Sequence, residues 1–142
     1  MAGYMKKLQG YVYDGEVVNG AAAAVKNGTL MIRGTSTDAG KLVLPGSADT
    51  TTKLECVGAE DVFGNTGYRF VVKVLNAPYY FVENGPEYND SEVYDGANLT
   101  TAVGKKLRAH PLLVGEEFVT DQVTGTITAG ALYGVKADGT VG

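Results

Sequence analysis

The chain has 142 residues, a formal net charge of −4, 44% apolar and 20% charged residues, 20 glycines and no tryptophan. That size suits one domain, residues 1–142, able to bury a core without staples, and the lone cysteine, Cys56, excludes an internal disulfide. The acidic balance argues against a nucleic-acid surface, which needs a basic stripe to neutralise phosphates, and no segment approaches the roughly 20 apolar residues of a membrane-spanning helix.

Residues 1–13 read as an arm or an edge strand. Lys6 and Lys7 have no apolar run behind them, so the expectation is no signal peptide and synthesis in the cytoplasm. Tyr11-Val12-Tyr13 meets Asp14-Gly15, a two-residue hairpin signal, and Glu16-Val17-Val18 returns to Asn19-Gly20. Ala21 to Val25 is too short for a helix and reads as a closely packed strand. Thr29 to Arg33 and Lys41 to Leu44 are strands on either side of a loop, Gly34 to Gly40, and Pro45-Gly46 stops the second. Lys53 to Val57 is a strand, with Cys56 turned inward as a structural thiol. Gly58 to Gly67 holds acids, glycines and an asparagine, with Val62 and Phe63 expected to tuck into the core.

Tyr68 to Leu75 is the longest strand signal. Tyr68, Phe70, Val72 and Val74 share one face, and the mixed set Arg69, Val71, Lys73 and Leu75 the other, as expected of a central strand. Tyr79 to Val82 is a second aromatic strand, in which one of the two faces is expected to be core and the other partly exposed. Glu87 to Gly104 is long for a connection, with a turn of helix over Ala97 to Val103. From Lys105 to Thr120 a strand alternates up to Pro111, which has no N–H to give a sheet interior. Gly115 then supplies the positive φ of a tight corner, and Glu117 to Thr120 alternates again. Thr126 to Thr128 and Ala131 to Val135 are further strands, with turns at Ala129-Gly130 and Asp138-Gly139. The sum is about ten to twelve short strands: an all-β, single-domain antiparallel barrel or sandwich with long loops and at most a short helix.

Reactive chemistry is sparse in this pattern. His110 is the only histidine, with no second ligand or triad partner at a meaningful spacing; it reads as an exposed strand-end residue. Glu83, Glu87, Asp90, Glu92 and Asp95 form an acidic run that does not fit a calcium loop. No phosphate-cradling glycine loop is present. Lys105, Lys106 and Arg108 read as a solvated strand edge. No catalytic, metal or cofactor residue is assigned, and no enzyme is expected. The nine tyrosines carry more information, because tyrosine suits interfaces that are apolar at one end and wet at the other. The candidate partner contacts are Tyr4, Tyr11, Tyr13, Tyr79, Tyr80, Tyr88 and Tyr94.

The stretch Gly104-Lys-Lys-Leu-Arg-Ala-His-Pro-Leu112, followed by Val114-Gly-Glu-Glu-Phe-Val-Thr120, resembles capsid decoration (cement) or minor head proteins of tailed bacteriophages. The layout Tyr13-Asp-Gly-Glu-Val-Val-Asn-Gly20 is similar to their N-terminal hairpin, and Gly130-Ala-Leu-Tyr-Gly-Val135 to a closing barrel strand. The resemblance implies a non-enzymatic virion protein on the capsid surface that binds the major capsid protein as a homo-oligomer, with neither nucleic acid nor membrane as partner. A tail-tube, head–tail connector or fibre-base component is the alternative within the virion. A carbohydrate-binding module is a further one, weakened by the missing tryptophan.

Overall fold

The computed structural model describes the backbone at residues 3–7, 13–62, 65–83 and 100–142, and the side chains at 17–61, 66–83 and 100–142. The strands are β1 (Gly3–Lys7), β2 (Tyr13–Asn19), β3 (Val25–Lys26), β4 (Leu30–Arg33), β5 (Lys41–Val43), β6 (Asp49–Val62), β7 (Asn65–Val74), β8 (Tyr80–Val82), β9 (Thr100–Thr101), β10 (Lys106–Pro111), β11 (Glu117–Thr120) and β12 (Leu132–Val135). A 3-10 turn, Ser36–Asp38, is the only helical piece among the described residues.

The strands build two layers. One is an antiparallel sheet in the order β1-β11-β7-β6-β12; the other is a closed barrel in the order β10-β2-β5-β4-β8, with β3 and β9 forming a short separate ribbon. The all-β expectation therefore holds, with a barrel and an open sheet together in one body. One barrel pairing, β2 with β5, is parallel.

Alternation along the strands feeds two cores. Inside the barrel lie Val17, Met31, Leu42, Tyr80, Val82, Leu107 and Ala109. Between barrel and sheet lie Leu30, Leu54, Phe70, Val72, Tyr79, Phe81, Leu112 and Phe118. Strands β4 and β8 thus form a shared wall, with Leu30 and Phe81 on one side and Met31 and Val82 on the other. Phe81 stacks on Phe118 at 5.0 Å, and Phe118 on Phe70 at 5.7 Å, so aromatic contact runs from the barrel wall into the sheet. Each fully buried side chain of this size stabilises the fold by about 1.5–3 kcal/mol.

The corner expected at Gly115 is present. Gly115 takes φ 94°, the Glu116 N–H bonds to the Leu113 carbonyl at 3.1 Å, and the Gly115 N–H bonds to the Val72 carbonyl at 2.8 Å. The Glu116 carboxylate folds back to accept the Leu113 N–H at 2.6 Å. This turn carries the chain from β10 in the barrel to β11 in the sheet, joining the two layers covalently.

Several local expectations are corrected. Asp14-Gly15 does not turn: β2 runs straight through it, and four residue steps from Tyr13 to Val17 face two on β10, from Leu107 to Ala109. The dipeptide is absorbed as a bulge, because both flanks pair with β10. Ala21 to Ala23 is a bend, and only Val25–Lys26 pairs. The strands expected to end at Val57 and to resume at Tyr68 run further: β6 and β7 stay paired out to Val62 opposite Asn65. Thr126 to Thr128 forms no strand. The helical turn expected over Ala97 to Val103 is replaced, where described, by β9 at Thr100–Thr101 paired with β3. Phe63 lies outside the described residues.

Candidate functional site

The termini of β6 and β8 meet at a cleft of about 360 Å³, lined by Ile32, Pro45, Ser47, Asp49, Asn76 and Tyr79 among others. Asp49 opens β6 and folds its carboxylate back on its own strand. Oδ1 accepts the Thr51 N–H at 2.9 Å and the Thr52 N–H at 3.0 Å, and Oδ2 accepts the Thr52 hydroxyl at 2.7 Å. Tyr79 donates its hydroxyl to Oδ2 at 2.7 Å, and Asn76 Nδ2 lies 3.5 Å from Oδ1. Burial alone would raise the Asp49 pKa. Hydrogen bonds from the Thr52 N–H, the Tyr79 and Thr52 hydroxyls and the Thr51 N–H outweigh it and bring it down to about 2. Burial, the bond to Asp49 and the charge of Asp49 push the Tyr79 phenol in the opposite direction, well above its ordinary value. At neutral pH Asp49 is a permanent anion whose lone pairs are already engaged, and Tyr79 holds its proton. That pair is poorly matched to proton transfer; it clamps the start of β8 to the start of β6.

His110 sits in the wall between β8 and β10, 4% exposed, where an exposed strand end was expected. Phe81 is its register partner, and Nε2 meets the Glu83 carboxylate at 2.9 Å. Pro111 ends β10, so the residue before it stays extended and points inward. Cys56 is buried as expected, its pKa raised by burial and drawn back by a contact of Sγ with the Gly58 carbonyl at 3.9 Å. A thiol held protonated in an apolar site is a poor nucleophile. Arg69 bridges Glu117 at 3.4 Å and Glu60 at 3.7 Å across the outer face of the sheet. Among the described residues no three acidic, cysteine or histidine side chains are grouped to hold a metal ion, and no helix is long and apolar enough to cross a membrane.

Tyr79 and Tyr80 are 4% and 8% exposed and belong to the two cores. The expectation that one face of β8 is exposed is therefore corrected: β8 is covered on both sides, because the barrel and the sheet share it as a wall. Both tyrosines are withdrawn as surface contacts. Tyr4 lies on β1 and Tyr13 at the start of β2. Tyr11, Tyr88 and Tyr94 lie outside the described residues, as do Glu87, Asp90, Glu92 and Asp95. Lys105 and Lys106 are exposed at the start of β10.

An apolar tip was missed by the sequence reading. Leu113 and Val114, on the corner between β10 and β11, are 42% and 54% exposed, and Val74 at the end of β7 is 46% exposed. Val72 pairs with both Gly115 and Glu116, so β7 runs past this corner and brings Val74 toward the same end of the sheet. The signal lay in Leu112-Leu113-Val114 before Gly115: alternation buries Leu112, and the turn that follows leaves the next two residues outside.

Comparison with protein-family models, with curated proteins and with solved structures gave no match.

Proposed function

We propose that the protein is a non-catalytic structural component of a bacteriophage head, docking on the major capsid protein and reinforcing the shell. The observation that carries this reading is the β10–β11 unit. The segment resembling phage head proteins, Gly104 to Thr120, links barrel to sheet and displays Leu113 and Val114 on a hydrogen-bonded corner. Exposed apolar side chains on a rigid turn suit a pocket on a partner, since little conformational freedom is lost on docking. Of the side chains with chemical potential in the described body, Asp49 and His110 are engaged in contacts between strands and Cys56 is a buried thiol, which fits a cohesive role better than turnover.

The test is retention of the purified protein on expanded heads built from the major capsid protein of the phage that carries its gene. Wild-type protein is expected to co-sediment with heads, and Leu113→Asp with Val114→Asp to abolish retention while leaving the melting temperature unchanged. Equal retention of the double variant, or binding to tails in place of heads, would overturn the reading; the second outcome would favour a tail or connector component.

A further inference from the structure

The chain holds three Asn-Gly steps, at Asn19-Gly20, Asn27-Gly28 and Asn84-Gly85, of which the third lies outside the described residues. An Asn-Gly step is prone to spontaneous deamidation, because glycine has no Cβ to keep its backbone nitrogen from the preceding side chain. The reaction needs only water and hydroxide. Hydroxide takes the glycine N–H proton, and the nitrogen attacks the asparagine Cγ. The bond from Cγ to Nδ2 breaks, and ammonia leaves with a proton returned by water. Water then opens the cyclic imide at one of its two carbonyl carbons, leaving aspartate or isoaspartate.

Both described steps hold the attacking nitrogen in a bond. The Gly20 N–H is donated to the Leu42 carbonyl at 2.8 Å, and the Gly28 N–H to the Val82 carbonyl at 2.8 Å. Asn19 and Asn27 are both buried away from hydroxide. At Gly20 the parallel pairing of β2 with β5, which sets Asn19 beside Leu42, holds the bond in place. The two strands are close there: a Cβ on Gly20 would lie 2.9 Å from the Lys41 Cβ.

The Asn19 carboxamide also ties this end of the barrel together. Nδ2 donates to the Thr101 carbonyl of β9 at 2.9 Å and to the Ala23 carbonyl at 3.2 Å, and Oδ1 accepts the Ala21 N–H at 2.9 Å. Its backbone accepts from the Gly104 N–H and donates to the Lys105 carbonyl. A carboxylate in its place has no N–H for the two carbonyls and sets a buried charge against them.

We propose that Asn19 is a latent self-modification site. It is locked while β2 and β5 are paired, hydrolysed when this end of the barrel opens, and unable to close the barrel again once it is an aspartate. A reversible opening thereby becomes a permanent one. The device uses only the barrel's own contacts and is independent of any capsid.

Folded protein, and the same chain in guanidinium chloride at the same pH, are held in warm, mildly alkaline buffer. Mass spectrometry follows the mass gain of the Asn19 peptide, and hydrogen exchange follows the Gly20 amide. Deamidation at Asn19 is expected to be at least about tenfold slower in the folded chain and to keep step with Gly20 exchange, since both report one opening. Asn19→Asp is expected to lower the melting temperature and to speed exchange of the Gly20 and Gly104 amides. If Asn19→Asp does not fold, wild-type chain deamidated in denaturant replaces it, and the fraction modified at Asn19 is expected to refold less than the unmodified fraction. Equal deamidation rates in folded and unfolded chains overturn the proposal, as does deamidation at Asn19 while the Gly20 amide stays protected. So does an Asn19→Asp variant that melts and exchanges like the wild type, or equal refolding of the modified fraction.

Discussion

Tyr79 and Tyr80 are neighbours in the chain and anchor opposite cores. Tyr79 reaches between the layers and donates to Asp49 at 2.7 Å. Tyr80 turns into the barrel, where its hydroxyl accepts a hydrogen bond from Arg33 Nε at 2.7 Å, and the Arg33 guanidinium lies 5.2 Å from its ring centre. A strand buried on both faces makes the barrel and the sheet one cooperative unit, and the first three predictions follow from that shared wall and its clamps.

Phe81→Ala removes a ring between the layers, and Met31→Ala a side chain inside the barrel, both fully buried. The first is expected to cost about 3–5 kcal/mol and the second about 2–5 kcal/mol. Because β4 and β8 serve both cores, unfolding in urea should stay a single transition in both variants, coincident by far-ultraviolet circular dichroism and tyrosine fluorescence. Separate transitions for the two layers would contradict the shared-wall description.

Tyr79→Phe deletes one donor to a charged acceptor and is expected to cost about 1.5–3 kcal/mol. The pH dependence has a definite sign. The Asp49 carboxyl titrates in the folded state at about 2, below its ordinary 3.8. Its contribution to stability is therefore fully present above pH 3.8 and is lost as pH falls through about 2. The difference in urea stability between the wild type and Asp49→Asn should shrink over that window. A difference that stays constant across it would show that Asp49 is not the clamp.

Gly40 and Gly139 share φ 82°, which isolates the effect of surroundings. A Cβ at Gly40 meets nothing within 4 Å, whereas at Gly139 it would press into the Leu30 carbonyl and the Thr29 side chain. Gly40→Ala should cost about 1 kcal/mol, the ordinary penalty of left-handed backbone. Gly139→Ala should cost about 3 kcal/mol or more, because overpacking adds to that penalty, and because the Gly139 carbonyl bonds the Leu30 N–H at 2.9 Å, where β4 begins. Thermal melts of the two variants give the comparison.

His110→Ala empties a buried position beside Phe81 and removes the contact with Glu83. A loss of about 2–4 kcal/mol is expected, with binding to heads unchanged in the fraction that folds. Loss of binding at unchanged stability would assign His110 a direct role in contact.

The strand-by-strand reading succeeded where alternation, a breaker and a glycine agreed. Tyr68 to Leu75 is the centre of the sheet with Phe70 and Val72 in the core, and Lys105 to Thr120 is a strand, a corner at Gly115 and a second strand. It failed where a local turn signal met a stronger long-range pairing. Asp14-Gly15 is held straight by β10, and Gly58 to Gly67, rich in glycine and acids, is held in a ladder by its partner strand. It also failed at β8 and His110, because periodicity reports that a strand has two faces but not whether a second layer covers the outer one. The apolar tip escaped notice for the same reason: Leu113 and Val114 are hydrophobic by sequence, and only the turn geometry leaves them outside.

The most direct measurement is a cryo-electron microscopy difference map between purified phage heads incubated with the protein and the same heads without it. The account predicts discrete density at symmetry-related sites on the shell, with the corner at Leu113 and Val114 seated against a capsid subunit. Heads with no added density, or density in which that corner faces away from the shell, would contradict it.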